Sequence, residues 1–214
     1  MTLAAEDRHC KEHDRRMPSL VLVRHGPSAH VHAGALDRDG VEQWRASYDA
    51  TGIRLGDRPP EALVALAAAT TYIVASDLPR AIESAERLAP KRPITVSPLV
   101  REAPLPIPQW PTRLPLMAWN SIITVRWYYH RLRRTDLDGP DWARAERAAS
   151  WLTGVLTDGT SAMIITHGVF RRLLGLQLVR SGWSLASRQG GYRHWSSWHF
   201  SFQGDRVPPS SPNV

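Results

Sequence analysis

The chain has 214 residues, of which 43% are hydrophobic and 22% charged, and this ordinary globular composition predicts one medium-sized domain and excludes a wholly disordered chain. No apolar run approaches the roughly 20 residues that cross a bilayer, and the single cysteine, Cys10, excludes an internal disulfide framework and a multi-cysteine zinc site. The net charge is +7, and all 27 basic residues except Lys11 and Lys91 are arginines, which either an anionic partner or a biased genomic composition would explain.

In the first half of the chain, short apolar runs alternate with longer helical segments. The runs are partly β-branched, which predicts buried strands. Pro79 stands where a helix would begin, a position that favours proline, and Glu61 occupies the first turn of another predicted helix. The predicted strands are 19–23, 72–76 and 94–96, with 99–100 as a fourth, and the predicted helices are 40–48, 60–69 and 80–88.

The second half begins with a proline-rich stretch over residues 103–115, which forbids a helix and forces an extended path. Helices and strands alternate after it. Strands interleaved with helices predict an α/β fold, a three-layer α/β/α sandwich with a mostly parallel central sheet. The predicted helices are 116–134, 140–156 and 169–181, and the predicted strands are 161–166 and 195–202.

Polar segments frame the predicted domain at both ends. We expect a flexible leader over 1–17, a single domain over 18–204 with a variable, lid-like insertion over 103–135, and a flexible tail over 205–214. The N-terminal residues lack the apolar core of a secretory signal, which predicts a cytoplasmic protein without a membrane partner.

Charged and imidazole side chains follow three of the predicted strands. Arg24 and His25 follow the first strand, Arg80 comes shortly after the second, and His167 follows 161–166. A lone histidine in such a place is more often structural, but the joint pattern is improbable by chance. Because the carboxyl ends of parallel strands meet at one edge of a sheet, we expect these residues to converge. Two histidines and two arginines beside helix N-termini suit a phosphate dianion.

Three sequence segments carry this pattern in order: LVRHGPS, SDLPRAIESA and ITHGVFRRLL. They resemble the signature segments of the histidine phosphatase superfamily, also called phosphoglycerate-mutase-like, which is marked by an RHG motif. The resemblance spans residues 19–203 and implies an α/β phosphatase-like domain.

The resemblance implies a role for each matching residue. His25 would be the nucleophile that becomes phosphohistidine, Glu102 the proton donor, and His167 the second pocket histidine, which donates to the phosphoryl group. No metal or other cofactor is implied. The residues that would hold the phosphoryl oxygens are Arg24, Ser28, Arg80 and His167.

Elementary chemistry agrees with these roles. Histidine attacks only through an unprotonated ring nitrogen, and two nearby arginines disfavour the imidazolium form of His25. The arginines also stabilise charge on the transferring phosphoryl oxygens without a metal. A phosphate dianion beside Glu102 would raise the pKa of its carboxyl group, which suits a proton donor to the leaving alkoxide and then a base for the attacking water.

Several neighbouring residues have a competing structural interpretation. Glu102 would otherwise be a surface carboxylate paired with Arg101. Asp77 is interpreted as a cap of the following helix rather than as a chemical group. His30 and His32 are spaced like a metal-binding pair but lack further well-spaced ligands, which favours a surface loop over a metal site.

The chain departs from the family pattern at two positions. Pro27 stands where glutamate is frequent, and Val31 stands where many members have an asparagine that contacts phosphate. Both departures leave the nucleophile in place, but they weaken any assignment of substrate by analogy.

The variable segment after Glu102 is rich in proline and tryptophan. In the family it tends to cover the pocket, so its aromatic and arginine side chains are candidates for a substrate-facing lid, with packing in the core as an equal alternative. The candidates are Trp110, Trp119, Arg126 and Tyr128.

The sequence therefore predicts a metal-independent phosphomonoester hydrolase that acts through phosphohistidine on a small phosphorylated metabolite. Two alternatives stay open. One is a phosphoglycerate-type mutase, although the segment between Glu102 and His167 is short for the covering insertion of glycolytic mutases. The other is a non-catalytic module that binds a phosphate group or a phosphoprotein. The basic charge comes without a nucleic-acid-binding motif, so no nucleic-acid partner is expected, and a homodimer is left open.

Overall fold

The computed structural model describes residues 17–31, 34–132 and 139–203. The tail expected over 205–214, the leader except for Met17, and the residues Cys10 and His32 lie outside this range. No helix in the described part of the chain is long and apolar enough to span a bilayer.

Strands and helices alternate along the described residues, as predicted. The strands are Ser19–Arg24 (β1), Ala35–Leu36 (β2), Tyr72–Ala75 (β3), Ile94–Val96 (β4), Leu114–Pro115 (β5), Ser161–Thr166 (β6), Trp183–Gln189 (β7) and Ser197–Phe202 (β8). The helices are Arg38–Asp49 (α1), Glu61–Ala69 (α2), Pro79–Leu88 (α3), Leu116–Leu132 (α4), Pro140–Val155 (α5) and Phe170–Arg180 (α6).

Six of these strands form the central sheet, in the order β4-β3-β6-β1-β8-β7. The neighbours β4, β3, β6 and β1 are parallel, whereas β8 is antiparallel to both β1 and β7. Only β8 therefore runs against the others, and the prediction of a mostly parallel sheet is confirmed. The short strands β2 and β5 pair separately.

Alternating side chains of the central strands supply two hydrophobic cores, one on each face of the sheet. Leu20 and Leu22 of β1 pack with α5 and α6, whereas Val21 and Val23 pack with α2 and α3. Because successive side chains of a strand point to opposite faces, one apolar run serves both cores. This arrangement confirms the predicted three-layer α/β/α sandwich.

One predicted strand is wrong, and three observed strands, β2, β5 and β7, were not predicted. Strands β2 and β5 have only two residues each, too few to show a periodic pattern. Residues 99–100 do not form a strand, because Pro98–Val100 is a 3-10 turn in which the hydroxyl of Ser97 accepts the N–H of Leu99 at 3.3 Å. Strand β7 was not predicted, because it lies at the edge of the sheet and its second half is exposed and polar, so it lacks the apolar run of a buried strand.

The carboxyl ends of β3, β6 and β1 lie side by side. Arg24 pairs with Thr166 in register, and the ladder continues one residue further, where the N–H of His25 donates to Thr166 O at 3.0 Å. The N–H of Ser76 donates to Ile165 O, also at 3.0 Å. The fold thus brings the residues that follow these three strands to one edge, as expected for a parallel sheet.

Candidate active site

His25 is a buried, neutral imidazole whose tautomer follows from its partners. The Nε of Arg80 lies 3.3 Å from His25 Nε2, and because a guanidinium only donates, Nε2 accepts. The proton therefore sits on Nδ1, which lies 2.7 Å from Gly26 O and donates to it. Burial, and then the charge of Arg80, hold the pKa of His25 well below its usual value. The ring presents an unprotonated Nε2 beside an arginine.

Arg80 is held in place from several sides. It lies in the first turn of α3 and is only 1% exposed. One guanidinium nitrogen donates to Tyr48 O at 3.1 Å, another pairs with the Asp49 carboxylate at 3.0 Å, and the Tyr48 ring centre is 4.3 Å from the guanidinium carbon. The end of α1 therefore anchors the arginine that contacts His25.

Arg24 is the last residue of β1, and its guanidinium donates to Tyr192 O. Burial lowers the pKa of Arg24, the nearby charges of Arg172 and Arg80 lower it as well, and Glu102 acts in the opposite direction. A Cβ at Gly168 would lie 3.6 Å from this guanidinium, which is an ordinary van der Waals contact, so the Arg24 side chain does not require a glycine there. A second arginine thus stands near Arg80, although it does not contact His25 by a hydrogen bond.

His167 follows β6 and is fully buried beside the nucleophile. Its ring centre is 5.0 Å from that of His25, and its Nε2 is 2.8 Å from the hydroxyl of Ser76. Burial, and then the neighbouring His25 and Arg80, hold the pKa of His167 well below its usual value. Within the described residues its buried Nδ1 has no hydrogen-bond partner. Nδ1 of His167 is therefore available to form a hydrogen bond with a ligand.

The carboxylate of Glu102 lies at the N-terminus of α6. Its carboxylate accepts the backbone N–H of Phe170 at 2.9 Å, of Ala103 at 3.0 Å and of Val169 at 3.2 Å. Burial raises the pKa of this carboxyl group, and the backbone hydrogen bonds, that of Phe170 first, oppose the shift. The alternative surface pair with Arg101 is wrong, because Arg101 instead pairs with Asp77 at 2.8 Å.

The predicted cap by Asp77 is wrong for the same reason. Its carboxylate is engaged by Arg101, and α3 begins at Pro79 without a side-chain cap. The turn before α3 is instead stabilised by the hydroxyl of Ser76, which accepts the N–H of Leu78 at 3.3 Å. The same hydroxyl lies 2.8 Å from His167 Nε2.

Arg144 of α5 holds the loop that carries Glu102, and sequence reasoning missed it. Its guanidinium donates to Arg101 O at 2.6 Å and Glu102 O at 3.2 Å, and it pairs with Asp141 at 2.7 Å. No local pattern marks this role, because its partners apart from Asp141 are backbone carbonyls some 40 positions away in the chain.

His194 and Arg171 also belong to the site and were missed. The Nδ1 of His194 lies 3.1 Å from His25 O, and the two rings are 5.3 Å apart. Arg171 is fully buried and donates to Ser196 O at 2.7 Å and to Gly191 O at 3.4 Å; burial first, and then the charge of Arg24, lower its pKa to about 10. Arg171 thus fastens the loop between β7 and β8 to the site. The only feature of the sequence that could have indicated Arg171 as a site residue is its place in the Arg-Arg pair of ITHGVFRRLL.

Ser28 is buried, but its hydroxyl makes a local contact, accepting the N–H of His30 at 3.1 Å. The imidazole of His30 packs against the Trp44 ring at 5.8 Å. Val31 is 73% exposed. Across residues 17–31, 34–132 and 139–203, no group of three or more histidine, cysteine, aspartate or glutamate side chains is arranged to hold a metal ion.

The four candidate lid residues have different environments. Trp119 is a core residue, because it is fully buried and its Nε1 donates to Leu36 O at 2.8 Å. Trp110 is half exposed beside α1, away from the histidines. Arg126 lines a cavity of about 500 Å³ between α4, α5 and the proline-rich stretch. Tyr128 alone faces the arginines of the site, 5.1 Å from the guanidinium carbon of Arg172.

Gly26 of the RHG segment is required by its neighbour Trp195. A Cβ at this position would lie 2.4 Å from the Trp195 ring, well inside van der Waals contact. The ring cannot retreat easily, because its Nε1 donates to Asp57 at 2.7 Å and its backbone N–H donates to Arg24 O at 3.1 Å. The glycine therefore lets the loop before β8 pack directly beside the nucleophile.

The structural comparisons return phosphatases among their matches. A phosphoserine phosphatase from Entamoeba histolytica in complex with 3-phosphoglyceric acid has 16% identity and a TM-score of 0.47, with 76% of this chain and 80% of that chain covered. Mycobacterial hydrolase 1 has 19% identity and a TM-score of 0.45, covering 78% and 81%. The protein histidine phosphatase SixA with tungstate has 11% identity and a TM-score of 0.34, covering 76% and 75%. No protein-family model and no curated protein matches the chain.

Gly26→Ala tests the packing against Trp195. We expect this variant to lose about 1–3 kcal/mol of unfolding free energy, because the added methyl group overpacks a fixed ring. Gly154→Ala is the matched control, because Gly154 lies exposed in α5 with no atom within 4 Å of the place its Cβ would take, and alanine there should add about 0.5–1 kcal/mol. Urea unfolding measures both, and equal effects would contradict the role given to Gly26.

The neutral histidines predict acid sensitivity. The pKa values of His25, His167 and His194 are lowered in the folded state, chiefly by burial, so the unfolded chain takes up protons first as the pH falls. The unfolding free energy should be constant above a pH of about 6.5. Below that pH it should decrease by up to about 1.4 kcal/mol per pH unit for each histidine. Urea unfolding at pH 7.5, 6.5 and 5.5 measures this, and a flat profile would contradict it.

Proposed function

We propose that this chain is a phosphomonoesterase of the histidine phosphatase superfamily, which acts through a phosphohistidine at His25 on a small phosphorylated metabolite. The observation that carries the proposal is the neutral, Nδ1-protonated ring of His25, whose Nε2 lone pair lies at the guanidinium of Arg80. A nucleophilic nitrogen beside a fixed positive charge is what attack on a phosphoryl group requires.

In the first step, Nε2 of His25 forms a bond to phosphorus while the ester P–O bond breaks. Arg80 and Arg24 stabilise the charge on the phosphoryl oxygens. His167 assists as a donor in this proposal: its proton is placed on Nδ1, the buried atom that lacks a partner among the described residues, and its Nε2 then accepts from the Ser76 hydroxyl 2.8 Å away. In this proposal Arg24, Arg80 and His167 contact the phosphoryl oxygens, and Ser28 remains a predicted phosphate contact.

Glu102 handles the proton in both steps. Burial raises the pKa of its carboxyl group, which favours the protonated form, and that form gives its proton to the leaving alkoxide. In the second step a water oxygen attacks the phosphohistidine, Glu102 takes the water proton, and the N–P bond breaks to release phosphate and regenerate His25. The cycle therefore consumes only the phosphomonoester and water, and it releases an alcohol and phosphate.

The His25→Ala variant tests the nucleophile. Wild-type protein should hydrolyse p-nitrophenyl phosphate with a chelator present, and His25→Ala should lose at least about 1,000-fold in kcat, because covalent catalysis is removed. His199→Ala is the matched control, a half-buried histidine on β8 whose expected loss is less than about threefold. Wild-type protein should also carry phosphate that is stable to base and released by acid.

The outcomes separate the candidate functions. Turnover that survives in His25→Ala would make the nucleophile wrong. A folded wild-type protein that binds phosphate monoesters without turnover would support the binding-module alternative, and phosphoryl return to an acceptor alcohol in place of water would support the mutase.

Glu102→Gln separates proton transfer from helix capping. The amide keeps an oxygen for the N–H groups of α6 but cannot donate a carboxylic proton. We expect a loss of about 100-fold or more in kcat for an alkyl phosphate, whose alkoxide needs a proton, and a much smaller loss for p-nitrophenyl phosphate, whose phenolate does not. Equal losses for the two substrates would assign Glu102 a capping role alone.

A further inference from the structure

Among the described residues, the guanidinium of Arg172 of α6 is contacted by aromatic rings and by no polar group. Its guanidinium carbon lies 4.2 Å from the ring centre of Tyr192, 5.1 Å from that of Tyr128 and 5.7 Å from that of Trp127. Its Nε is buried without a hydrogen-bond partner in the described part of the chain. We call these three rings and Arg172 the aromatic box.

The lack of polar partners sets Arg172 apart from its neighbours. Arg171 donates to Ser196 and Gly191, and Arg80 pairs with Asp49, whereas the guanidinium of Arg172 makes no hydrogen bond or ion pair within residues 17–31, 34–132 and 139–203. Cation–π contacts satisfy the faces of a guanidinium but occupy none of its N–H donors. The four N–H donors of its two terminal nitrogens are therefore available to an acceptor, whereas the Nε–H is buried.

The aromatic box adjoins the phosphoryl pocket. The charge of Arg172 lowers the pKa of Arg24 and of Arg171, in each case after the larger effect of burial, so these three cations lie close together. Tyr192 links the two sites directly, because its carbonyl accepts from Arg24 and its ring contacts Arg172. A phosphoryl group at Arg24 and Arg80 leaves the charge of Arg172 uncompensated.

The box is open to solvent on one side. Tyr128 is 39% exposed and Tyr192 is 57% exposed, and their side chains hydrogen-bond to each other. Arg172 is itself partly exposed, so a ligand can reach the exposed edge of its guanidinium. Its rings come from α4 and from the loop between β7 and β8, which lie outside the RHG and His-Gly segments. The guanidinium fork suits an anion that presents two oxygens in one plane, as a carboxylate or a phosphate does.

We infer that the aromatic box binds a second anionic group of the substrate, a carboxylate or a second phosphate, while the first phosphate lies at His25. This inference rests on the proposed function, because it places the first phosphate in the pocket of that reaction. The substrate class is then a phosphomonoester with two anionic groups, rather than a neutral sugar or alcohol phosphate.

Phosphonates test the inference, because their C–P bond is not hydrolysed and their binding does not require turnover. Calorimetric titration compares phenylphosphonate with the 3- and 4-carboxyphenylphosphonates and with benzene-1,3- and 1,4-diphosphonate. The positional isomers sample the span between the two sites, and the two series distinguish a carboxylate from a second phosphate. At least one two-anion isomer should bind wild-type protein about tenfold or more tightly than phenylphosphonate, the size expected of a charge-assisted pair.

Three variants locate the effect. Arg172→Gln should abolish the preference and leave phenylphosphonate affinity within about twofold, because only the second contact is lost. Arg172→Lys should keep part of the preference, because lysine retains the charge and loses the fork. Arg147→Gln, which removes an exposed arginine of α5, is the matched control and should keep all of it.

Each other outcome overturns the inference. Equal affinity of wild-type protein for phenylphosphonate and every two-anion isomer would exclude a second anion site. An equal loss for all probes in Arg172→Gln would mean that Arg172 supports the phosphoryl pocket itself. If Arg172→Gln unfolds, Arg172→Lys decides alone, and an unchanged preference there excludes the fork. Failure of the proposed function is distinguishable, because it appears as absent p-nitrophenyl phosphate turnover and not as lost discrimination between phosphonates.

Discussion

The hydrogen bond from Arg80 to His25 is the contact on which the rest of the site depends. It requires an unprotonated Nε2, and burial of both side chains enforces that state, because an imidazolium beside a buried guanidinium would be strongly disfavoured. The same contact fixes the direction of the ring, with Nδ1 bound to Gly26 O. Gly26 in turn admits the Trp195 ring, so the nucleophile and the loop before β8 are packed as one unit.

Burial of cations is possible here because backbone carbonyls surround them. Arg144 and Arg171 donate to carbonyls of distant loops, and Arg45 and Arg92 do the same with Leu105 O at 2.7 Å and Thr70 O at 2.7 Å. The planar donor fork of arginine makes such bridges, which lysine cannot reproduce. Much of the arginine content therefore has a structural use, and the net charge alone is not evidence of an anionic partner.

The two sides of the pocket differ in origin. The phosphoryl side comes from strand ends and helix starts of the parallel sheet, where Arg24, His25, Arg80 and His167 converge. The other side, with Tyr128 and Tyr192, comes from α4 and from the loop between β7 and β8. Proposed chemistry and proposed selectivity are thus carried by separate parts of the chain, an arrangement that lets one change without the other.

The sequence by itself determined the sandwich, the positions of most strands and helices, and the three strand-end segments with their histidines and arginines. These follow from local signals: apolar runs, a proline at a helix start, and polar residues directly after buried strands. Only the tertiary structure decided the rest. Asp77 was expected to cap a helix and instead pairs with Arg101, Trp119 became a core residue, and His194, Arg144 and Arg172 entered the site. Their partners are distant in the chain, and no local spacing encodes a contact between a side chain and a remote carbonyl or ring.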